Sequence, residues 1–299
     1  MPNTLAHIGV NGFLTSSVLK KSDLFWIYVG TIIPDIPWIL QRALGMFFPS
    51  INGFDLRLYV IVLASLFFSL ILSAALSLLT TNTKKTFLIL AVGSLLHLLL
   101  DSLQIKWANG VHLFAPFSWK LLNFGLFWPE SLPTYILTLS GVIFFIFNWK
   151  ILTKQNLNLS FKLPKFLYSL VLFTLYFLLP FYFMPQVESA NSHYIKTLRN
   201  VNDRKGKYIE FDRKKIRLNK STSQYEIQTF DKSYIPLVGL NKTNASKISL
   251  RGNFIDNNTI KVKEYHENIV WFRDGASYVG ISLILLSGFI VSKKKTLTK

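Results

Sequence analysis

Long apolar runs separated by short polar connections dominate this sequence. A helix that crosses a bilayer needs about 20 consecutive, mainly apolar residues. Seven segments come close to that length, so the pattern predicts a polytopic α-helical membrane protein with about seven helices. The segments are 5–19, 24–41, 58–79, 86–103, 132–149, 164–184 and 277–292. Pro34 and Pro37 lie near the end of the second segment and should break or kink that helix.

One long connection, residues 185–276, has the alternation of apolar and polar residues that is typical of β-strands. The alternating stretches are 208–211, 216–218, 225–229, 248–251 and 260–265, and Asp256-Asn257-Asn258 predicts a hairpin turn. Five or six short strands favour a small all-β sandwich or an OB-like barrel. The chain therefore divides into a helical membrane domain (1–184), a β domain (185–276), and a final transmembrane helix with a basic tail (277–299).

The distribution of charge predicts the orientation in the membrane. The chain is 51% hydrophobic and carries a formal charge of +18. If the N-terminus lies outside, the short cytoplasmic connections and the tail hold twelve basic residues, including Lys20, Lys21 and Lys299, and the short outer connections hold four. The positive-inside rule therefore predicts a multi-pass membrane protein with its N-terminus and its β domain outside and its C-terminus in the cytoplasm. Lysines beside the bilayer account for much of the charge, so nucleic acid is not required as a partner.

The few acidic residues outside the β domain are the first candidates for chemistry, because ionisable groups inside a membrane are costly. Asp35 and Asp101 both lie in apolar surroundings. His97 and Asp101 are four residues apart, which places them on one face of a helix. Such a pair can bind a divalent metal, or it can form a hydrogen bond that satisfies two polar groups in a helical bundle.

The predicted topology brings further residues to the same depth. His7, Asp35, His97, Asp101 and His112 would all lie near the outer face, although they are far apart in the sequence. Two or three histidines with two carboxylates could bind zinc or manganese. Alternatively, each of them is separately a helix cap, an interfacial residue or a paired polar group.

Several short motifs resemble a known family. They are His7, Ile33-Pro34-Asp35-Ile36, His97-Leu-Leu-Leu-Asp101, and the stretch 109–116 from Asn-Gly to Ala-Pro. In order and spacing they are similar to the YdjM/YbcI-like family of inner-membrane, metal-dependent hydrolases, over roughly residues 1–150. The resemblance implies that His7, Asp35, His97 and Asp101 are metal ligands.

The chain departs from the family pattern at two places. Pro37 stands where the family has a second acid, and residues 57–62 lack the family's histidine although Arg57 is kept. The site is then either a variant that recruits His112 or one that has lost its metal.

A divalent metal would activate water and polarise a phosphoryl or carbonyl oxygen. Asp35 would be a fourth ligand or the general base. Arg57 would hold an anionic group of the substrate, or would simply extend from a helix end towards the interface. A site at the outer face would meet a lipid or lipid-linked substrate. The alternatives are a non-catalytic scaffold or sensor whose β domain binds a partner, and a transporter that uses His97 and Asp101.

A basic run, Arg213-Lys214-Lys215, lies within the predicted β domain. It is either a solvated strand end or a site that attracts anionic lipid or another polyanion.

Overall fold

The computed structural model describes residues 3–19, 23–190 and 192–297. The predicted cytoplasmic lysines Lys20, Lys21 and Lys299 lie outside the described residues. The longer helices are α1 (Thr4–Val18), α2 (Leu24–Ile32), α3 (Ile36–Phe47), α4 (Gly53–Leu63), α5 (Leu66–Leu78), α6 (Thr83–Ser102), α7 (Leu132–Leu152), α8 (Leu163–Leu178), α9 (Pro180–Ala190) and, after the short α10 (Thr197–Arg199), α11 (Val270–Leu297).

Five helical segments among the described residues are long and apolar enough to cross a membrane. The pair α4 and α5 would add a sixth span, but the two helices meet at an angle of 68°. Helix α1 has 15 residues and falls short of a full span. The structure thus has the apolar helices that the sequence predicts, while the predicted number of seven spans stays a prediction. The five segments are Leu24–Phe47, Thr83–Ser102, Leu132–Leu152, Leu163–Ala190 and Trp271–Lys293.

The predicted break at the two prolines is confirmed. Helix α2 ends at Ile32, a 3₁₀ turn covers Ile33–Asp35, and α3 begins at Ile36 with Pro37 in its first turn. Proline fits the first turn of a helix, where a backbone N–H has no partner within the helix. The turn leaves Asp35 buried inside the bundle.

Small residues allow α1, α2, α6 and α7 to pack closely. Gly9 on α1 and Gly141 on α7 are in backbone contact, and Gly30 on α2 faces Gly93 on α6 in the same manner. The side chain of Asn11 on α1 donates a hydrogen bond of 3.0 Å to the carbonyl oxygen of Gly93. Close backbone contact of this kind is typical of helices packed within a membrane. The hydrogen bond from Asn11 joins α1 directly to α6, and these two helices carry three of the four candidate ligands.

Five strands form the β domain, in the order β1-β2-β3-β5-β4 around a closed barrel. Strands β3 and β5 pair in parallel and the other neighbouring strands are antiparallel. Of the two predicted alternatives, the structure has the barrel rather than the sandwich. The strands are β1 (Tyr208–Asn219), β2 (Gln224–Gln228), β3 (Tyr234–Val238), β4 (Lys247–Phe254) and β5 (Ile260–Glu267).

The strands differ from the sequence prediction at two places. The stretches 208–211 and 216–218 are one strand, β1, because a bulge between Phe211 and Lys214 shifts the alternation without ending the pairing. Strand β3 was not predicted, and it contains Pro236, which is unusual within a sheet. The predicted turn at 256–258 does connect the antiparallel strands β4 and β5.

The barrel contacts the loop that follows α6. Two acidic residues of β1 anchor this contact: Glu210 accepts a hydrogen bond of 2.6 Å from the backbone N–H of Ala108, and Asp212 accepts one of 2.8 Å from the side chain of Asn109. Beside them, Arg213 forms an ion pair with Glu130, which lies just before α7. The barrel therefore lies at the end of the bundle where α6 finishes and α7 begins.

Candidate metal centre

Three helical segments bring the candidate ligands together at the barrel end of the bundle. His7 lies in the first turn of α1, Asp35 in the 3₁₀ turn after α2, and His97 and Asp101 in the last two turns of α6. All four side chains are almost fully buried. Helix α1 begins and α6 ends at this level, so residues about 90 positions apart in the sequence become neighbours. The predicted convergence of these four residues is present in the structure.

The ligand atoms of His7, His97 and Asp101 lie within 4.8 Å of one another. The Nε2 atom of His7 is 3.4 Å from one carboxylate oxygen of Asp101, and the Nε2 atom of His97 is 3.8 Å from the other. Asp35 adds a carboxylate oxygen 3.6 Å from the Nε2 atom of His97. The two imidazole rings stack with centroids 3.6 Å apart, which aligns their edges towards the carboxylates.

The facing atoms lack ordinary hydrogen-bond partners. The Nε2 atoms of both histidines and one oxygen each of Asp35 and Asp101 are buried without a partner among the described residues. Their separations of 3.4 to 3.8 Å exceed the usual hydrogen-bond length of about 2.7–3.2 Å. Buried polar groups are nearly always satisfied. Two imidazole nitrogens converge on the one carboxylate of Asp101, so a single His–Asp pair does not account for the arrangement.

A contact outside the cluster shows which nitrogen of a neutral His97 carries the proton. Its Nδ1 atom lies 2.6 Å from the backbone carbonyl oxygen of Thr31, which can only accept a hydrogen bond. Nδ1 must therefore carry the proton, and the neutral ring then presents the lone pair of Nε2 to the carboxylates. Metal-bound histidines are commonly oriented in this way by a carbonyl on the opposite nitrogen.

The donor set fits a small divalent cation. Around tetrahedral zinc, with bonds of about 2.0–2.2 Å, neighbouring ligand atoms are separated by about 3.4 Å. The distances between the imidazole and carboxylate atoms, 3.4, 3.6 and 3.8 Å, are close to that separation. His7, His97 and Asp101 could hold the ion, with Asp35 as a further ligand or as a base beside it.

The sequence interpretation missed Lys106. Its side chain is buried, and its Nζ atom lies 3.2 Å from the oxygen of Asp101 that faces His97. The signal was a lone lysine in the apolar stretch just after Asp101, where an unpaired charge would be costly. Lys106 balances part of the negative charge that two buried carboxylates bring to the site.

Two predicted site residues lie apart from the cluster. His112 was predicted as a metal ligand, but the structure does not bring it into the group of three: its ring packs edge-on against Trp119, with centroids 5.7 Å apart. Burial lowers the pKa of His112 to about 4, so the ring is neutral there. The loop after α6 instead places His112 in the wall of a neighbouring cavity.

Arg57 lies in the wall of the same cavity. Its guanidinium carbon is 4.3 Å from the ring centroid of Trp38, and it donates hydrogen bonds to the side-chain oxygens of Gln41 and Asn109. Arg57 is therefore turned into the protein and does not extend towards the interface.

Comparisons with protein-family models, with curated proteins and with solved structures found no match to this chain. The resemblance to the YdjM/YbcI-like family therefore stays a prediction from the sequence motifs.

Proposed function

We propose that this chain is a membrane-bound, metal-dependent hydrolase that acts at the outer face of the membrane on a lipid or phosphoester substrate. The observation that carries the proposal is the convergence of unpartnered imidazole and carboxylate atoms from His7, His97 and Asp101. Such donors suit zinc or manganese. A bound cation would lower the pKa of a water molecule and polarise a phosphoryl or carbonyl oxygen.

The chain's own residues have separable tasks in this proposal. Thr31 holds the ring of His97 with Nε2 free to bind, and His7 stacks on that ring. The unpartnered oxygen of Asp35 is available to accept a proton from attacking water, if it is not itself a ligand. Lys106 stabilises the ionised form of Asp101.

The proposed location at the outer face depends on the distribution of lysines. The cluster, the loop after α6 and the barrel all lie at one end of the bundle. The short connections at the opposite end include Lys84, Lys85, Lys150 and Lys154, which the positive-inside rule assigns to the cytoplasm. We therefore place the cluster and barrel outside, where the ends of lipid head groups are within reach.

Metal analysis tests the proposal directly. Detergent-purified wild-type protein, incubated with zinc or manganese and then desalted, should retain close to one ion per chain, and His97→Gln should retain far less. His266→Gln is the matched control, because the Nε2 atom of His266 lies 3.6 Å from Glu130 in a histidine–carboxylate pair outside the cluster. Equal and negligible metal in the wild type and both variants would refute a metal centre.

Activity screening separates the hydrolase from a non-catalytic scaffold or sensor. Phospholipids and phosphoesters should be hydrolysed by the metal-loaded wild type and not by Asp35→Asn. An Asp35→Asn protein that keeps its metal and loses turnover would identify Asp35 as the base, whereas loss of both would identify it as a ligand. A metal-loaded wild type that is inactive on every phosphoester and carboxyl ester tested would favour the scaffold.

A further inference from the structure

A cavity of about 420 Å³ lies between the end of the helical bundle and the barrel. Asp101, a candidate metal ligand, forms part of its wall, together with Lys106 and Leu98 from the same region. Small-molecule sites commonly enclose about 300–1,000 Å³. The cavity is therefore large enough for a ligand and adjoins the metal centre.

Cationic side chains from both domains line this cavity. The helical domain contributes Arg42, Arg57 and Lys106, and the start of α11 contributes Arg273. The barrel contributes Arg213, Lys214 and Lys247. Three carboxylates also line it: Asp101, Asp212 and Asp274. Arg213 is paired with Glu130, so the remaining lining side chains carry about three more positive than negative charges, in a space walled by both domains.

Arg57 and Lys214 lie near Asp212, but neither pairs with it directly. Arg57 donates to the amide oxygens of Gln41 and Asn109, which are uncharged, and its Nε atom is buried without a partner within the described residues. The Nζ atom of Lys214 lies 3.6 Å from the ring centroid of Phe230. Neither residue forms a salt bridge within the part of the chain that the structure describes, which leaves both available to an anion.

Burial and neighbouring positive charge both disfavour the protonated form of Lys214. Burial, with the nearby charge of Arg57, lowers the pKa of Lys214 to about 7. Burial and neighbouring arginines also lower the pKa of Lys247, although Asp274 acts in the opposite direction. An anion in the cavity would relieve this repulsion and favour the charged lysines.

The size of the charge excess indicates the class of anion. A single phosphate group carries about −1.5 to −2 charges near neutral pH, which would offset about half to two thirds of the excess. Two phosphate groups would offset most of it, and their oxygens can accept hydrogen bonds from arginine and lysine. We propose that this cavity binds a diphosphate group, held by Arg57 and Lys214 from the two domains beside Asp101. The proposal deepens the proposed function, on which it rests for the role of the metal.

The diphosphate could be free in solution or attached to a lipid. Helix α3 forms one wall of the cavity through Trp38, Gln41 and Arg42. At the end of the same helix, Met46 and Phe47 are exposed to 74% and 72%. An apolar surface beside a cationic cavity suits a diphosphate with an apolar chain, so the test includes both sources.

Binding to detergent-purified protein in the presence of a chelator tests this proposal without the metal. The probes are inorganic pyrophosphate, inorganic phosphate, farnesyl diphosphate and farnesol, measured by titration calorimetry. The test variant is Lys214→Gln, and Lys215→Gln is the matched control because Lys215 is the next residue on β1 and is exposed. Arg57→Gln tests the contribution of the helical domain.

We expect both diphosphates to bind the wild type at least tenfold more tightly than phosphate does. Lys214→Gln and Arg57→Gln should each weaken pyrophosphate binding about tenfold, and Lys215→Gln should leave it unchanged. Tighter binding of farnesyl diphosphate than pyrophosphate, without binding of farnesol, would assign the lipid-linked source, and equal binding would assign the free one. The proposal is overturned if pyrophosphate binds no better than phosphate, or if Lys214→Gln and Lys215→Gln have equal effects.

The two proposals fail separately. Wild-type protein that holds no metal yet binds pyrophosphate through Lys214 would end the hydrolase proposal and keep the diphosphate site. Wild-type protein that retains metal through His97 but binds neither diphosphate would end the diphosphate proposal and keep the metal centre.

Discussion

The close contact between α1 and α7 offers a way to disturb the metal centre without changing a ligand. A Cβ atom added at Gly141 would lie 2.7 Å from the carbonyl carbon of Leu5, and nearer still to its carbonyl oxygen. Leu5 is two residues before His7 in the first turn of α1. The substitution Gly141→Ala should therefore push the start of α1 away from α7, and so shift His7 relative to the ligands on α6.

The structure sets the scale of this displacement. Carbon atoms pack best about 3.5–4.0 Å apart, so the backbone of α1 must move by about 1 Å to accept the new methyl group. Metal sites tolerate deviations of only about 0.2 Å in the distances to their ligands. A displacement of about 1 Å should remove His7 from the coordination sphere. We expect the Kd for zinc to rise about 10–100-fold, a loss comparable to that of a residue that orients a ligand.

A zinc titration against a competing chelator measures this change. Gly275→Ala is the matched control, because a Cβ atom at Gly275 would have no neighbour within 4 Å. Gly12→Ala is a second comparison on α1, where the new atom would meet the ring of Phe144 and not the backbone. Circular dichroism should show that Gly141→Ala keeps its helices. If that variant is folded and binds zinc with wild-type affinity, His7 is not a ligand and the reasoning is refuted.

Three further predictions concern stability, each measured from thermal unfolding in detergent. Lys214 has a pKa of about 7 in the folded protein, below its ordinary value of 10.5, so between these pH values the unfolded chain binds more protons than the folded one. The stability of the wild type should therefore rise with pH across that window, and the stability of Lys214→Met should rise less. Burial raises the pKa of Glu130, but His266 and Arg213 lower it more, so the wild type should lose stability as the pH falls below about 4.5 and Glu130→Gln should lose less. Asn11→Ala should lower the free energy of unfolding by about 1 kcal/mol at all pH values, because it removes the hydrogen bond between α1 and α6; an unchanged unfolding temperature would contradict this.

The outline of the fold could be predicted from the sequence. The apolar runs are long because a helix needs about 20 apolar residues to cross a bilayer. Apolar and polar residues alternate in the β domain because successive side chains of a strand point to opposite faces of the sheet. Pro34 and Pro37 marked the break before α3 because proline cannot continue a helix interior. Strand β3 could not be predicted, since Pro236 argues against a strand and only its pairing with β2 and β5 determines it.

The candidate site was predicted in part. His97 and Asp101 are one helical turn apart, so local geometry alone places them together. His7 and Asp35 joined them through the predicted topology and the family resemblance. His112 followed the same argument, yet it packs against Trp119 because a loop direction is not encoded in a spacing.

By itself, the sequence determined the apolar helices, the β domain, and a histidine and carboxylate on one face of α6. These follow from local periodicity, which depends on residues a few positions apart. Only the tertiary structure decided which imidazole edges face which carboxylates, that Lys106 balances them, and that Lys214 on the barrel shares a cavity with Arg57 on the bundle. Those outcomes depend on helix crossings at Gly30, Gly93 and Gly141 and on how the barrel docks, and such contacts join residues far apart along the chain.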